Sequence, residues 1–368
     1  MTDTVVIRVL VVDDSTVARE LLVYLLNSDP KLQVVGVAGD GERAVAEAQR
    51  LRPDVITMDI HLPKMDGFAA TRKIMETCPT RIVMVTATSI PFEVAATFQA
   101  LEAGALTVLG KPPGLGHPNH KALADEIVQT VKLMAEVQVV RRWARTRPRA
   151  TSAPSAAATP YFTVKEPANG GNERVAVNEI RMVAIGASTG GPLVLQAILS
   201  RLPKEFAVPI LIVQHISAGF TTGFSEWLAR ASGFTVQVPQ HGEYALPGIA
   251  YVAPDGMHMT MQMNGTIGLA SDPPEYGLRP SVSCLFRSVA AVFGPQAIGI
   301  LLTGMGRDGA RELKLMHDAG AVTIAQDRET AVIYGMPGEA VKLDAATYVL
   351  PPDDIAVTLN RLVNKRTR

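Results

Sequence analysis

The chain has very little cysteine, because its 368 residues include only Cys78 and Cys284. Two cysteines cannot build a disulfide framework, and such scarcity is typical of proteins kept in a reducing compartment. The first ten residues contain the acidic Asp3 and no long apolar core, and no apolar stretch reaches the length of a membrane span. The sequence therefore predicts a cytoplasmic protein with no signal peptide and no membrane-embedded segment.

A charge excess is also missing, since 35 Lys and Arg residues balance 35 Asp and Glu residues. The whole-chain charge thus gives no argument for binding nucleic acid or an anionic membrane. The first 130 residues are mildly acidic, with 12 basic against 16 acidic side chains. A hydrophobic fraction of 47% and a charged fraction of 19% indicate a globular chain, and the length suits two or three domains.

Short apolar runs alternate with helix-length amphipathic segments over the first 130 residues. The runs are Val9–Val12, Val34–Val37, Val55–Met58, Ile82–Val85 and Leu106–Leu109. The intervening segments begin near Ser15, Gly41, Met65, Pro91 and Asn119. Five such repeats predict a five-stranded, doubly wound parallel sheet, since parallel strands need right-handed crossovers. Ligands bind beyond the carboxyl ends of the strands in such a sheet.

Polar side chains follow four of these five strands, at the points where the strands end. They are Asp13 and Asp14, Asp59, Thr86 and Lys111. Carboxylates that converge on one edge repel each other unless a cation lies among them, and oxygen ligands suit Mg²⁺. The lysine then supplies a charge for a phosphoryl oxygen. The alternative is that the aspartate pair only caps the next helix, which explains that pair but not the whole set.

These positions carry motifs that resemble the receiver domain of two-component response regulators, over about residues 7–133. The motifs are Val11–Ser15, Asp59–Gly67, Thr86 and Lys111-Pro112. One departure is Val108, where receivers usually carry an aromatic residue that relays the phosphorylation state.

The resemblance implies that Asp59 accepts a phosphoryl group from a histidine kinase, with Thr86 and Lys111 as the switch residues. It also implies that Mg²⁺ is bound by Asp14, Asp59 and the backbone of His61, with Asp13 acting through water.

A predicted linker, residues 136–178, separates two domains predicted at residues 1–135 and 179–368. It contains five arginines between positions 141 and 149, then small residues and prolines that cannot bury enough surface to fold. The arginines could contact nucleic acid. We favour a solvated hinge against the acidic receiver, because no helix-turn-helix pattern or aromatic interleaving accompanies them.

Alternating strands and helices resume after the linker and predict a second, larger doubly wound α/β domain. Its main runs are Met182–Ile185, Ile210–Val213, Ile249–Val252, Ile298–Leu302 and Val322–Ala325. Two shorter runs, Thr235–Pro239 and His258–Gln262, predict an antiparallel flap beside the parallel sheet.

The first strand of this domain runs into a glycine-rich turn that presents Ser188. Gly186, Ser188 and Gly190 fit the Gly-x-Ser-x-Gly pattern, in which small neighbours permit a sharp turn before a helix. An anion-binding turn or a purely structural turn would read similarly.

His215 and Asp308 follow two other strands, and with Ser188 they could form a nucleophile, a base and an orienting acid. A lone histidine is also often structural, and an aspartate in a glycine-rich loop is often a turn former. His241, His258 and His317 show no metal-ligand spacing, so we expect no metal in this domain.

Five motifs of this domain resemble the catalytic domain of the chemotaxis-type protein-glutamate methylesterases. They are Gly186–Gly191, Val213–Ile216, Arg279–Val282, Leu301–Ala310 and Gly335–Pro337. The resemblance implies catalytic roles for Ser188, His215 and Asp308, an oxyanion hole from the backbone of Thr189 and Met305, and no esterase cofactor. Relatives commonly carry an acidic residue where this chain has Ser283, a difference expected to leave the triad untouched and to concern the substrate side.

The resemblance implies phosphorylation-controlled hydrolysis of glutamyl methyl esters on the cytoplasmic helices of chemoreceptors, with possible deamidation of glutamine. The alternatives are a phosphorylation-gated binding module without activity, a methylesterase of a non-chemotaxis sensory pathway, or a DNA-binding regulator. The intact Ser, His and Asp set argues against the first, and the lack of a recognition-helix pattern argues against the last.

Overall fold

Two separate parallel sheets organise the chain in the computed structural model. The structure describes residues 6–86, 98–112, 114, 116, 120–137, 179–216 and 219–364. Among these residues, no helix has both the length and the apolar character that a membrane span needs.

The first sheet has five parallel strands in the order β2-β1-β3-β4-β5, which confirms the predicted fold class. The strands are β1 (Ile7–Val12), β2 (Leu32–Ala38), β3 (Val55–Met58), β4 (Arg81–Thr86) and β5 (Thr107–Gly110). The helices are α1 (Thr16–Asn27), α2 (Gly41–Leu51), α3 (Gly67–Thr77) and α4 (His120–Glu136), and residues 98–103 are also helical. The segment predicted to begin near Pro91 starts outside the described residues.

Polar caps set the starts of the first three helices. The hydroxyl of Ser15 accepts from Ala18 N at the start of α1, and Asp40 and Asp66 cap α2 and α3 in the same way. The alternative that Asp13 and Asp14 only cap α1 is therefore wrong.

The second sheet has seven strands, all parallel, in the order β14-β13-β12-β6-β7-β9-β8. Its strands are β6 (Met182–Ala187), β7 (Ile210–Gln214), β8 (Thr235–Gln237), β9 (Ile249–Val252), β12 (Ala297–Leu301), β13 (Val322–Gln326) and β14 (Tyr348–Leu350). Its helices are α5 (Gly191–Leu199), α6 (Thr221–Ser232), α7 (Val282–Phe293), α8 (Ala310–Asp318), α9 (Met336–Lys342) and α10 (Pro352–Val363).

The predicted flap is half right. The strand β10 (His258–Met261) pairs antiparallel with β11 (Ile267–Ala270), outside the main sheet. The run beginning at Thr235, in contrast, forms β8, which pairs parallel with β9 at the sheet edge. The side chains of β8 are exposed or half-buried, so its sequence alternates in polarity as that of a flap strand would.

The described parts of the two halves touch through aromatic rings. Phe98 stacks on Trp227 with ring centroids 4.8 Å apart and lies 5.3 Å from Phe224, while Glu102 accepts a hydrogen bond from the Trp227 indole at 3.0 Å. Val108 packs against the same hydrophobic cluster. Beside this contact lies an open cavity of about 1320 Å³, lined by residues of both halves.

Close packing over β6 generates a stability prediction. A Cβ added at Gly186 would clash with Val282 Cγ1 and lie 3.0 Å from Leu301 Cδ1. We expect Gly186→Ala to lower the free energy of unfolding by roughly 1–3 kcal/mol, since overpacking forces neighbours to shift. Val282→Ala removes the clashing methyl groups. The double variant should therefore lose less free energy of unfolding than the two single variants lose in sum. Denaturant unfolding of the four proteins checks this, and additive losses would contradict it.

Candidate functional site

Three carboxylates meet at the carboxyl edge of the first sheet, as predicted. Ligand atoms of Asp13, Asp14 and Asp59 all lie within 4.8 Å of one another, and Asp14 is exposed while the other two are buried. Among the described residues, this is the one group of acidic, histidine or cysteine side chains able to hold a metal ion. Burial raises the pKa of Asp13 above its usual value although Lys111 bonds to it, because the charged form is poorly solvated.

Lys111 joins the two buried carboxylates. Its Nζ lies 2.8 Å from Asp13 Oδ2 and 2.7 Å from Asp59 Oδ2. Burial lowers the pKa of Lys111, but the bonds to both aspartates outweigh that effect and raise it. The lysine therefore carries a fixed positive charge at this edge.

Thr86 completes the cluster from the end of β4. Its carbonyl accepts from Lys111 N at 2.7 Å, whereas its buried hydroxyl has no hydrogen-bond partner among the described residues. An orphaned hydroxyl of this kind is available to an incoming group. His61, whose backbone is the last predicted metal ligand, is exposed beside Asp59, and its ligand role stays a prediction.

The topology of the second sheet brings Ser188, His215 and Asp308 to one edge. Ser188 follows β6, His215 follows its neighbour β7, and Asp308 lies in the loop after β12, the neighbour on the other side. His215 N donates to Ala187 O at 2.9 Å, which holds the histidine beside the serine turn.

Close backbone contacts shape the Ser188 turn. Gly190 has a φ of +81°, a left-handed conformation that favours glycine. A Cβ at Gly304 would lie 2.7 Å from Ser188 Cβ, so only glycine allows this approach. Ser188 N donates to Thr303 O at 3.0 Å, and the hydroxyl of Ser188 makes no hydrogen bond to any described residue. In structures without substrate, the hydrogen bonds of candidate catalytic groups are often long or poorly aligned.

Gln214 fixes the same turn and was missed by the sequence analysis. Its amide nitrogen donates to Ser188 O and to His215 O, both at 2.8 Å. One buried side chain therefore holds the backbones of two candidate catalytic residues. Its position as the last residue of β7 was the only available signal.

His215 and Asp308 form a buried pair, with Nε2 of the histidine 2.9 Å from Oδ2 of the aspartate. Asp308 is 2% exposed. Burial works to raise its pKa, but the bonds from His215, Ser283 and Val282 N outweigh it and lower the pKa to about 2. Asp308 is therefore ionised at neutral pH.

Two serines that the triad prediction omitted also hold Asp308. The hydroxyls of Ser281 and Ser283 lie 2.9 Å and 2.6 Å from Asp308 Oδ1, and Ser283 N donates to it at 3.0 Å. The expectation that Ser283 leaves the triad untouched is thus wrong, because this fully buried serine contacts Asp308 and not a substrate surface. The sequence allows Ser281 to be detected as a helix N-cap, but it does not indicate that its hydroxyl lies against Asp308.

The predicted oxyanion hole has two backbone N–H groups free of hydrogen bonds to the described residues. They belong to Thr189 and Met305, and Met305 lies in an exposed loop. Thr303 Oγ1 donates to Thr189 O at 2.9 Å and so orients that peptide. Their catalytic role stays a prediction.

Residues 183–359 match the family described as CheB methylesterase, and residues 9–117 match the response regulator receiver domain. A protein-glutamate methylesterase/protein-glutamine glutaminase of Nitrosospira multiformis is 52% identical over 360 residues, 98% of each chain. The chain belongs to the CheB methylesterase family. A similarly named protein of Syntrophus aciditrophicus is 53% identical over 97% of this chain and 98% of its own. The crystal structure of the Thermotoga maritima CheB methylesterase catalytic domain, 36% identical, has a TM-score of 0.49 and covers 50% of this chain and 100% of its own.

The lowered pKa of Asp308 predicts an acid-dependent loss of stability. A carboxylate whose pKa falls from 3.8 to about 2 on folding stabilises the fold above pH 3.8, and this contribution disappears as the pH falls through 2. Asp308→Asn, which resembles the protonated acid, should therefore lose about 2 kcal/mol at neutral pH and progressively less below pH 4. Urea unfolding at several pH values measures this. Glu226→Gln, an exposed change on α6, is the control, and a gap that stays constant down to pH 2 would contradict the assignment.

Proposed function

We propose that this protein hydrolyses glutamyl methyl esters on the cytoplasmic helices of chemoreceptors in the cytoplasm, with Ser188, His215 and Asp308 as its catalytic residues. The single observation that carries the proposal is the buried His215–Asp308 pair at the edge where Ser188 ends the neighbouring strand. The names of full-length relatives at 52% and 53% identity support the substrate class.

In this proposal each ring nitrogen of His215 has its own task. Nε2 faces Asp308 and donates its hydrogen to the carboxylate, so Nδ1 is left to take the proton of the Ser188 hydroxyl. The serine oxygen attacks the ester carbonyl, and the backbone N–H groups of Thr189 and Met305 stabilise the oxyanion. His215 returns the proton to the departing methanol. Water then cleaves the acyl-enzyme by the same route.

The same residues could deamidate glutamine, because ammonia leaves from a tetrahedral intermediate of the same shape. The relatives' printed names include protein-glutamine glutaminase, which favours this second activity. His215 would again supply the proton to the leaving group.

Replacing Ser188 provides the direct test of the esterase. We expect Ser188→Ala to lower methanol release from a methylated chemoreceptor fragment by about 10⁴-fold or more, since the nucleophile is gone. The unfolding midpoint should stay near that of the parent, because the lost hydroxyl makes no hydrogen bond to the described residues. Gas-phase detection of methanol and thermal unfolding give the two readouts. Activity within tenfold of the parent would exclude Ser188 as the nucleophile.

For the first domain, we infer that Asp59 accepts a phosphoryl group from a histidine kinase. The residues fit a divalent cation, since the carboxylates of Asp13, Asp14 and Asp59 converge, and the buried Thr86 hydroxyl has no hydrogen-bond partner among the described residues. The three carboxylates and the backbone of His61 would hold Mg²⁺, which offsets charge on the phosphoryl oxygens when bound. Lys111 then binds a phosphoryl oxygen in place of one of its carboxylate partners.

We further propose that the receiver restrains the esterase and that phosphorylation releases it. The contact of Phe98 and Glu102 with Trp227 supports a docked state, and Val108 packs against the same cluster. Because α5 begins three residues after Ser188, and Gly190 at its start lines the cavity between the halves, the docked receiver lies near the active-site turn. A linker raises the effective concentration of the two domains, so even a weak contact is populated.

The restraint predicts how fragments and variants behave. A fragment from residue 175 onward should release methanol faster than the unphosphorylated full chain, because it lacks the docked receiver. Acetyl phosphate with Mg²⁺ should stimulate the full chain but neither the fragment nor Asp59→Asn. Equal basal rates for fragment and full chain would exclude restraint. Stimulation that survives in Asp59→Asn would move the phosphorylation site elsewhere.

A further inference from the structure

One buried carboxylate behind the triad has no part in the mechanism described above. Glu312, in the first turn of α8, is 8% exposed, and its Oε2 lies 2.7 Å from Ser283 Oγ. Ser283 in turn lies 2.6 Å from Asp308 Oδ1. A continuous line of short contacts thus runs from Glu312 through Ser283 and Asp308 to His215.

The hydroxyl of Ser283 cannot serve both carboxylates at once. It carries one hydrogen and two lone pairs, and one lone pair accepts from Gly309 N at 3.0 Å. Its hydrogen points either to Asp308 or to Glu312. Each choice leaves a different amount of negative charge on Asp308 uncompensated, and that charge is what stabilises protonated His215.

We propose that Ser283 and Glu312 are positioning residues that set the basicity of His215 by sharing one hydroxyl hydrogen with Asp308. This inference rests on the triad proposed above. When Ser283 donates to Asp308, the carboxylate is better satisfied and holds the imidazolium less strongly. When Ser283 donates to Glu312, Asp308 keeps more charge and the imidazolium is favoured.

The other groups around this line are few. Arg287 NH1 lies 3.6 Å from Glu312 Oε1, and Arg287 also pairs with Glu275 at the rim. His258 accepts from Ser281 N at 3.2 Å and faces the carbonyl of Pro273, so it joins the site through the neighbouring serine. Exposed Arg307 lies over the Tyr276 ring and not against a carboxylate in the described structure.

Two variants should shift the pH dependence of kcat/KM in opposite directions. Ser283→Ala removes the donor from Asp308, so protonated His215 is favoured. The acidic limb of the kcat/KM profile should then shift to higher pH by about half a unit. In Glu312→Gln, Arg287 attracts the amide oxygen and the amide nitrogen is left facing Ser283 Oγ. The amide then donates to the serine, and the serine hydrogen turns to Asp308. The acidic limb should therefore shift to lower pH.

The measurement is methanol release by the full chain, stimulated by acetyl phosphate, from a methylated chemoreceptor fragment across pH 5–9. Ser288→Ala is the matched control: it removes a hydroxyl from the same helix that bonds to Leu285 O and Met261 N, away from Asp308. It should leave the limb in place. Thermal unfolding of each variant separates folding losses from shifts of the limb.

Opposite shifts for Ser283→Ala and Glu312→Gln support the inference. If the acidic limb of each variant that folds coincides with that of the parent, the inference is overturned, even where activity is lower. A purely structural role would lower the rate without moving the limb. Ser188→Ala is assayed in parallel: retained methanol release there would refute the triad itself and the inference with it.

Discussion

The buried charge of Asp308 is the interaction on which the second domain depends most. An ionised carboxylate in a dry interior is unfavourable unless donors surround it, and here they come from two separate parts of the fold. His215 approaches from the end of β7, while the start of α7 contributes Ser281, Val282 and Ser283. The start of a helix is suited to this role because its N–H groups have no partners within the helix.

Satisfying that charge also shapes the surroundings of Ser188. Val282, whose N–H donates to Asp308, packs over Gly186 near the end of β6, two residues before Ser188. The same residue therefore links Asp308 to the strand that leads into Ser188. In the proposed triad, stability and catalysis would share these contacts.

The sequence predicted what depends on local patterns. Apolar runs bounded by polar residues located most strands of both sheets to within a few residues, and strand ends pointed to Asp59, Lys111, Ser188 and His215. The orientation of β8 was mispredicted, because a three-residue edge strand carries too short a pattern to show its direction. The three-residue strand β14 was not predicted for the same reason, and β11, outside the main sheet, was also missed.

Contacts between segments that are far apart in the sequence could not be predicted from local patterns of polar and apolar residues. Ser283 meets Asp308 and Glu312 only because α7 packs against α8, 25 to 29 residues further along the chain. No local signal states which face of a helix meets which carboxylate. Gln214 was overlooked for a similar reason, since its amide reaches backward to Ser188 across 26 residues.

The open cavity beside the Phe98–Trp227 stack bears on how quickly the two halves separate. The open cavity separates part of the facing surfaces, so the described parts of the two halves touch through the Phe98–Trp227 stack, one indole hydrogen bond and a few apolar contacts, those of Leu101, Val108, Val332 and Ile333. Because the linker keeps the two halves at high effective concentration, they can rebind after each separation. Under the restraint proposed above, the lifetime of the phosphorylated aspartate, and not the separation of the domains, sets how long each burst of ester hydrolysis lasts.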